Sequence, residues 1–553
     1  MFKLVRLLKS LLQSVQIFVI FHYAIVKRTI SNNYGTKHPI LIDIVTSVIT
    51  IYFLLFSIIL LSVCGCYKIL VYIYLLLRHG KLLNGMIAGM DMLTILAPGC
   101  DGSVHGLTRC STNKPYDARE IYNQLCTQIN KKFYQNQVDG KFFSTREYTI
   151  LGYHYFKETF GVEVEDIVKY INAPDREVTD SITEDELMQL AKTYFNSNLP
   201  VNNKFNWDIC LCLNPIASEN KTNDDDKTNF VIFTRMHHTL GDGLVIYNVL
   251  VNNLFQFGPE FKTYSENLVN KCKNLEKKKA GTHVYKYGHK ILIDKPCILR
   301  DGQRHVKTMF TNIVEQPSSM TYLDKIKLIR QKYPGVMTFN IFMTAYSASL
   351  ADYYIKYSKP KDIPENMETT HPVQLDIRRY LDIYSCADKI KLSNEVASFQ
   401  FTCPIVPRSK KDVPIEDYLI DRMLTIKDDF DRAMNSMDIQ ASYIWTAVYF
   451  AVFPYWITRN LFEGVFITSL TTCMPGGPKL KLFNNDSVDH ISYFLPKQYY
   501  STLVLAINTY NHLLQIGMTA NEEKVETLTK LNEIRDGIFK YLDLLYAQCV
   551  KLD

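Results

Sequence analysis

The sequence predicts an α/β fold of two halves behind an N-terminal membrane anchor. After Leu83, segments with the two-residue period of strands alternate with segments of helical period. A polar, lysine-rich stretch at 262–281 lacks apolar periodicity and separates the two sets, and a long uncharged apolar run precedes both. The expected division is a membrane anchor at 1–83, an N-terminal lobe at 84–260, a connection at 261–300 and a C-terminal lobe at 301–553.

Composition limits the class of protein. The chain has 553 residues, and 62 Lys plus Arg against 56 Asp plus Glu give 62 − 56 = +6. Hydrophobic residues make up 47% and the mean hydropathy is −0.07, which excludes a disordered chain and a many-pass membrane protein. The positive charge is not gathered into arginine-rich blocks, so nucleic acid is not an expected partner. The 13 cysteines include no CxxC and no zinc-type cluster, which predicts free thiols and no metal site.

The N-terminal segment predicts membrane attachment. Residues 44–67 carry no charged side chain, and a helix over this run would reach about 36 Å, enough for a hydrocarbon layer of about 30 Å. After Lys68 a second apolar run extends the possible span to Leu77. Residues 1–15 have basic residues on one side of a helix, as expected of an amphipathic helix in the headgroup layer, and 16–26 could add a short span. No small-x-small cleavage site follows, which favours an uncleaved anchor whose orientation stays open.

Periodicity assigns the remaining elements. The predicted helices are 120–133, 147–160, 162–171, 182–195, 244–255, 320–333, 337–354 and 522–552. The predicted strands are 205–213, 230–233, 373–377 and 396–401, and 218–229 is a solvated loop.

One motif carries chemistry. Between the strand at 230–233 and the helix at 244–255 the chain reads RMHHTLGDG, with Arg235, His237, His238 and then Gly241, Asp242 and Gly243. Loops at strand ends commonly present reactive groups, and a neutral imidazole can accept a proton near neutral pH. Such a group could deprotonate an alcohol as it attacks a thioester and then protonate the departing thiol. The carboxylate could orient the imidazole or hold the loop through an arginine, and the glycines suit a tight turn with backbone angles closed to other residues. The alternative is two structural histidines in a turn.

HHTLGDG resembles the HHxxxDG signature of the CoA-dependent acyltransferase superfamily, most closely the wax ester synthase/diacylglycerol acyltransferase family in its animal, membrane-anchored form. Further stretches resemble this family's motifs. They are 205–207 with Trp207, PVQLDIR at 372–378, Asn394 with its neighbours at 393–395, Cys403-Pro404, SLTTCMPGGP at 469–478 with Pro475, Gly477 and Pro478, and 510–521. The chain departs from the family at Asn340-Ile341 and Ala520-Asn521, where the family has aspartate in the second place.

The resemblance implies two chloramphenicol acetyltransferase-like lobes with an interface tunnel. It implies His238 as general base, Asp242 as support for the loop, and His237 as a residue that shapes the pocket. The implied partner of Asp242 is Arg378, with Arg235 or Arg379 as alternatives. Acyl-CoA would be a substrate, and no cofactor and no metal are expected.

The resulting hypothesis is an O-acyltransferase that moves a fatty acyl group from acyl-CoA to a long-chain alcohol or diacylglycerol. The product, wax ester or triacylglycerol, stays open. Lipid acceptors lie in the bilayer and acyl-CoA is soluble, so the expected place is the endoplasmic reticulum membrane with the body in the cytosol. Peptide-bond condensation and plant-type alcohol acylation fit less well, since no carrier domain and no DFGWG segment are found. The alternative from another class is a catalytically silent acyl-CoA- or lipid-binding membrane protein of the same fold.

Overall fold

The structure is a computed structural model of the chain. It describes Tyr23 and, with short gaps, residues 39–96, 102–134, 144–257, 307–374, 392–436 and 442–550, together with isolated residues at 260–270 and 439. The predicted amphipathic helix at 1–15, the possible span at 16–26, most of the connection at 261–300, and both Arg378 and Arg379 lie outside the described residues.

Helices and strands alternate along the described chain. The helices are α1 Pro39–His79, α2 Met90–Leu96, α3 Ala118–Ile129, α4 Val164–Ile167, α5 Glu184–Phe195, α6 Gly243–Leu254, α7 Tyr322–Lys332, α8 Thr338–Tyr357, α9 Leu419–Met434, α10 Phe450–Val452, α11 Tyr455–Phe462, α12 Glu522–Val525 and α13 Leu528–Val550. The strands are β1 Leu83–Met86, β2 Ser103–Thr112, β3 Ser144–Tyr148, β4 His154–Glu158, β5 Val168–Ile171, β6 Trp207–Cys212, β7 Thr228–His237, β8 Phe255–Phe257, β9 Thr308–Val314, β10 Asn366–Gln374, β11 Val396–Pro404, β12 Ile467–Pro475, β13 Leu480–Leu482, β14 Ser487–Phe494, β15 Ser501–Tyr510 and β16 Leu513–Asn521.

The predicted long apolar helix is present as α1. It is continuous through Lys68 and, within the described part of the chain, it is the helix long and apolar enough to cross a membrane. Its first half exposes apolar side chains such as Ile44, Phe56 and Ile59. Its second half packs on the body, where the Tyr67 hydroxyl donates to the carbonyl of Leu151 at 3.0 Å. The exposed apolar half of α1 therefore continues, as one helix, directly into the half that packs on the folded body.

Two large mixed sheets form the body and confirm the α/β class. A seven-stranded sheet has the order β5-β6-β7-β2-β14-β13-β8, and a six-stranded sheet has the order β11-β10-β12-β15-β16-β9. Core clusters lie on both faces of the first sheet, against α6 on one side and α5 on the other. The largest cluster packs α8, α9 and α13 against the second sheet. Each sheet thus has its own core, as expected of two lobes.

The first sheet takes two strands from the C-terminal half of the chain. β14 pairs antiparallel with β2, and β13 pairs with β8. The first lobe is therefore completed by residues 480–494, which the division at 261–300 assigns to the second lobe. That division stays a prediction, but β13 and β14 lie beyond it in the sequence and belong to the first sheet.

Three predicted helices differ from the structure. The segment predicted as a helix at 147–160 forms most of a hairpin, β3 and β4, in a small sheet of order β1-β4-β3. That prediction was wrong because Tyr153 and Tyr155 are buried at a two-residue spacing, which the many aromatic residues of the segment obscure. The segment at 162–171 is one helical turn followed by β5, and the C-terminal helix is interrupted at Glu526, which has a positive φ of 69°.

Candidate active site

The motif residues lie where the central strand β7 ends and α6 begins. β7 ends at His237, residues His238–Leu240 form one 3-10 turn, and α6 starts at Gly243. The amide of His237 donates to the carbonyl of Asn206 at 2.7 Å, and that of His238 donates to the carbonyl of Gly102 at 2.9 Å. Because Asn206 and Gly102 directly precede the two strands flanking β7, the turn is held from both sides.

Hydrogen bonds to Asn394 fix the protonation pattern of the His238 ring. The Asn394 amide nitrogen donates to the backbone oxygen of His238 and to a carboxylate oxygen of Asp91, each at 2.6 Å. Both partners only accept, so the amide oxygen of Asn394 must face His238, where it lies 3.0 Å from Nδ1. Nδ1 therefore carries the proton and Nε2 carries the lone pair. An imidazole in this state can accept a proton from a bound alcohol.

The surroundings keep His238 neutral. Its ring is buried, and burial lowers the pKa of the imidazole below its ordinary value. The negative charge of Asp242 and the hydrogen bond to Asn394 act in the opposite direction and favour the imidazolium. The ring is thus uncharged near neutral pH, and it has two partners that would stabilise a proton once it arrives.

His237 has both ring nitrogens engaged. A guanidinium nitrogen of Arg146, on β3, lies 2.9 Å from Nε2. Nδ1 lies 2.7 Å from the Thr239 hydroxyl and accepts from the Thr239 amide at 3.2 Å. Burial and the charge of Arg146 hold the pKa of His237 well below its ordinary value. His237 therefore fits the predicted supporting role and not that of a proton acceptor.

Asp242 holds two backbone segments together. One carboxylate oxygen accepts from the amide of Val245 at 3.1 Å, which caps α6, and the other accepts from the amide of Glu395 at 3.2 Å. The second contact reaches the residue next to Asn394. Asp242 therefore ties the start of α6 to the segment that orients His238.

Arg235 does not form an ion pair with Asp242. Its guanidinium forms a bidentate ion pair with Asp208 on β6, with Nε 2.8 Å from one carboxylate oxygen, and both side chains are 1% exposed. Arg235 also donates to the carbonyls of Tyr194 and Ser197 at 2.8 and 2.9 Å. The alternative pairing with Asp242 was wrong because Arg235 joins β7 to β6 and α5 instead.

The motif glycines are required for space and not for special backbone angles. Gly241 has a φ of 163°, which is extended backbone, and a Cβ on it would lie 2.5 Å from Val245 Cγ1. A Cβ on Gly243 would lie 2.9 Å from the sulfur of Met474 on β12. The prediction that both need angles closed to other residues was therefore wrong.

The other motif residues surround this turn. Trp207 is fully buried at the start of β6, paired with Met236. Pro475 ends β12, and a Cβ on Gly477 would come within 3.1 Å of the Tyr247 hydroxyl on α6. Pro478 is buried just beyond. A small apolar cavity of about 20 Å³ lies beneath α6, lined by residues that include Gly106, Thr234, Ile232, Leu250, Tyr247 and Ile491.

Three residues of the site have no recognisable signal in the sequence. Asp91 orients Asn394 and Arg146 binds His237. Gly102 has a φ of 64°, and a Cβ on it would lie 2.2 Å from the carbonyl oxygen of Thr94 and 3.0 Å from His237 Nε2. All three come from chain segments far from the motif: two precede the missed hairpin, and Arg146 lies on its first strand. Among the described residues no cluster of His, Cys, Asp and Glu could hold a metal ion.

Two comparisons with known proteins found matches, one to a family model and one to solved structures. Residues 411–540 match the protein-family model of the WS/DGAT C-terminal domain. The wax ester synthase/diacylglycerol acyltransferase from Marinobacter aquaeolei is similar in structure, with a TM-score of 0.52 and 15% identity over 84% of this chain and 99% of that chain. The trichothecene 15-O-acetyltransferase from Fusarium sporotrichioides has a TM-score of 0.52 and 11% identity over 83% and 94% of the two chains. A search of curated protein sequences found no match.

The two structural matches confirm the predicted two-lobed acyltransferase fold and, at these identities, nothing finer. The family match lies in the C-terminal half of the chain, where it includes the predicted motifs at 469–478 and 510–521. Family and fold together support an acyltransferase. The match of residues 411–540 to the WS/DGAT C-terminal domain supports the predicted family for this part of the chain.

Proposed function

We propose that the protein is an O-acyltransferase that transfers a fatty acyl group from acyl-CoA to a long-chain alcohol or diacylglycerol, with His238 as the general base. The observation that carries this proposal is the contact of Asn394 with both the ring and the backbone of His238. It leaves a neutral ring with its lone pair on Nε2, which is the state that a base needs before the reaction starts.

The proposed reaction needs no covalent enzyme intermediate. Nε2 of His238 takes the hydroxyl proton of the acceptor as its oxygen forms a bond to the thioester carbonyl carbon. The tetrahedral intermediate then breaks its carbon–sulfur bond, and the departing thiolate takes the proton from Nε2. Ester and free CoA leave in equal amounts, and acyl-CoA is the acyl donor without a further cofactor.

The contacts of His238 suit the charged state that forms during this reaction. Once Nε2 is protonated, Nδ1–H donates to Asn394 as part of an imidazolium, and hydrogen bonds to charged groups are the stronger ones. The nearby carboxylate of Asp242 also favours the charged ring. Asp91 holds the amide of Asn394 in the one orientation that can accept this bond. These interactions strengthen in the transition state and so would raise kcat.

A lipid acceptor is consistent with the long apolar helix α1, because a membrane anchor would hold the enzyme at the bilayer where such acceptors are found. Each methylene that leaves water contributes about 0.8 kcal/mol, so long-chain alcohols and diacylglycerol concentrate in the bilayer. The apolar length of α1 supports a membrane anchor beside the body. Because acyl-CoA is soluble, the proposed place of the body is the cytosolic side of the endoplasmic reticulum.

Lipid analysis of a host deficient in neutral lipids tests this proposal. Cells expressing the wild type and fed a fatty alcohol should accumulate wax ester, or triacylglycerol if diacylglycerol is the acceptor, and cells expressing His238→Ala at equal protein level should not. The half-buried His490 on β14 is a matched control, and His490→Ala should keep the product. A wild type that binds acyl-CoA but yields neither product would favour the silent lipid-binding alternative.

A further inference from the structure

A second uncharged segment lies in the C-terminal half. From residue 441 to 458 the chain reads ASYIWTAVYFAVFPYWIT, with no Asp, Glu, Lys, Arg or His and with seven aromatic residues among eighteen. Tyrosine and tryptophan are the residues enriched where proteins meet the membrane–water interface. The structure forms the segment into a short π-helical turn, Trp445–Tyr449, followed by α10 and the start of α11.

This segment packs against α1 at the middle of its apolar length. The buried side chains of Tyr449, Phe450 and Phe453 share one cluster with Cys64, and Leu60 and Leu61 pack against it. The ammonium of Lys68 donates to the carbonyl of Ala451. The contact therefore covers about two turns of α1. Lys68, the charged residue within these turns, is bound by the backbone of the segment.

The apolar surface of α1 extends beyond this contact in both directions. Ile58 on one side, and Ile69 and Leu77 on the other, are more than half exposed. Exposed apolar side chains run from Ile40 to Leu77, which is about 56 Å of helix and longer than a hydrocarbon layer of about 30 Å. The segment at 441–458 thus meets α1 within its apolar surface and not beyond its end.

The outer face of the segment is apolar as well. Trp456 is 53% exposed, Tyr443 45% and Val448 38%. Next to them, Tyr148 of the small sheet is 51% exposed and its ring contacts Tyr455 edge to face. Contiguous exposed apolar side chains beside a membrane-spanning helix mark a surface that lipid covers.

The backbone of the segment is suited to an apolar environment. The amide of Phe453 donates to the carbonyl of Tyr449 at 2.8 Å, and that of Tyr455 donates to the carbonyl of Gly152 at 2.7 Å. The carbonyl of Val452 accepts from the Tyr153 hydroxyl at 2.8 Å. Such internal pairing is required of a backbone that leaves water.

The same hydrophobic cluster extends from α1 and the segment at 441–458 toward His238, the candidate base. It contains Met92 and Ile95 of α2, which packs between the segment and the turn that begins at His238. Asp91, on the same short helix, orients Asn394. One helix of seven residues thus separates the lipid-facing side chains from His238.

We infer that residues 445–458 of this segment are a second membrane-embedded element beside α1, and that the lipid acceptor passes from the bilayer along this element and α2 to His238. The second half of this inference rests on the proposed function, and the first half does not. The partner is the lipid bilayer itself.

Quenching of tryptophan by brominated lipids tests the membrane contact without any need for activity. The chain has three tryptophans, of which Trp207 is buried in the first sheet. In nanodiscs of brominated phosphatidylcholine, the full-length wild type should lose fluorescence relative to unbrominated lipid, and Trp456→Phe should remove much of that loss. Equal quenching of the wild type and Trp456→Phe would overturn the inference.

Leu328 provides the matched control. It is 39% exposed on α7, which packs on β16 near the β9 edge of the second sheet, while the segment lies beside β11 at the opposite edge, where Ser442 bonds Ser398. Adding Leu328→Trp to Trp456→Phe should not restore bromine-dependent quenching. Restoration there would show that the whole body meets lipid and would refute a dedicated element. Unchanged thermal unfolding of each variant confirms that it is folded.

Kinetics test the route of the acceptor. Val448→Asp should raise the KM for hexadecanol in vesicles about tenfold while the KM for a short, soluble alcohol and kcat stay unchanged, and Leu328→Asp should change none of them. An equal rise for both alcohols would overturn the route. If the wild type forms no ester at all, the proposed function fails, whereas the quenching result still decides the membrane contact.

Discussion

Replacing Asn394 by alanine tests how the site prepares its base. The substitution removes the acceptor of the Nδ1 proton and the donor to the backbone of His238. The ring would lose the contact that fixes its tautomer, although Asp242 and the turn would remain. We therefore expect a defect in the chemical step and not in the binding of acyl-CoA.

The size of the defect follows from the bond that strengthens during the reaction. A hydrogen bond to a charged group contributes about 1.5–3 kcal/mol, and the bond from Nδ1 becomes one when the imidazolium forms. Because each 1.36 kcal/mol is a factor of ten in rate, kcat should fall about 10- to 150-fold. The KM for acyl-CoA should stay unchanged, since the lost interaction is made in the transition state.

The pH profile gives a second readout. The bond to Asn394 raises the pKa of His238, so its removal should move the acid limb of kcat/KM to lower pH. Initial rates of ester formation in proteoliposomes with radiolabelled acyl-CoA measure both effects. Asn532→Ala, at a partly buried asparagine on α13, is the control. Full kcat in a folded Asn394→Ala enzyme would refute the proposed orientation of the base.

Three further predictions follow from the geometry. Since burial lowers the pKa of His238, the base stays neutral below pH 6.5, and the acid limb of the wild-type kcat/KM profile should lie below that value; a limb at or above pH 6.5 would contradict it. Gly241→Ala should lower the free energy of unfolding by about 1–3 kcal/mol in urea titrations, because its Cβ overlaps Val245; an unchanged midpoint would show that the helix start yields easily. Arg235→Met should cost about 3 kcal/mol by leaving Asp208 buried without its main partner, whereas Arg176→Met, at an exposed ion pair, should cost less than about 1 kcal/mol; equal costs would refute the structural role of Arg235.

Sequence patterns predicted the elements that depend on neighbouring residues. The long apolar helix, the capped helix α5 with Thr183 and Glu186, and the strand–turn–helix around His238 were all readable because each is specified within a few residues. Asn394 was predicted as a site residue because residues 393–395 resemble a family motif. The structure places it in contact with His238 although 156 residues separate them.

The contacts that complete the site depend on tertiary packing. Asp91, Arg146 and Gly102 have no distinctive spacing, and their roles appear only when α2, the small sheet and β2 meet around one turn. The crossing of β14 into the first sheet is likewise a pairing over long sequence distance, which periodicity does not specify. The uncharged run at 441–458 is visible in the sequence, but its position beside α1 is not.

Ester synthesis by the purified protein is the most direct test of the proposed function. With long-chain acyl-CoA and hexadecanol or diacylglycerol in vesicles, the proposed mechanism predicts ester and free CoA in equal amounts. His238→Ala should lower kcat about 10²- to 10⁴-fold while acyl-CoA still binds, and His490→Ala should be active. Wild-type activity retained by His238→Ala, or no ester from a wild type that binds acyl-CoA, would contradict it.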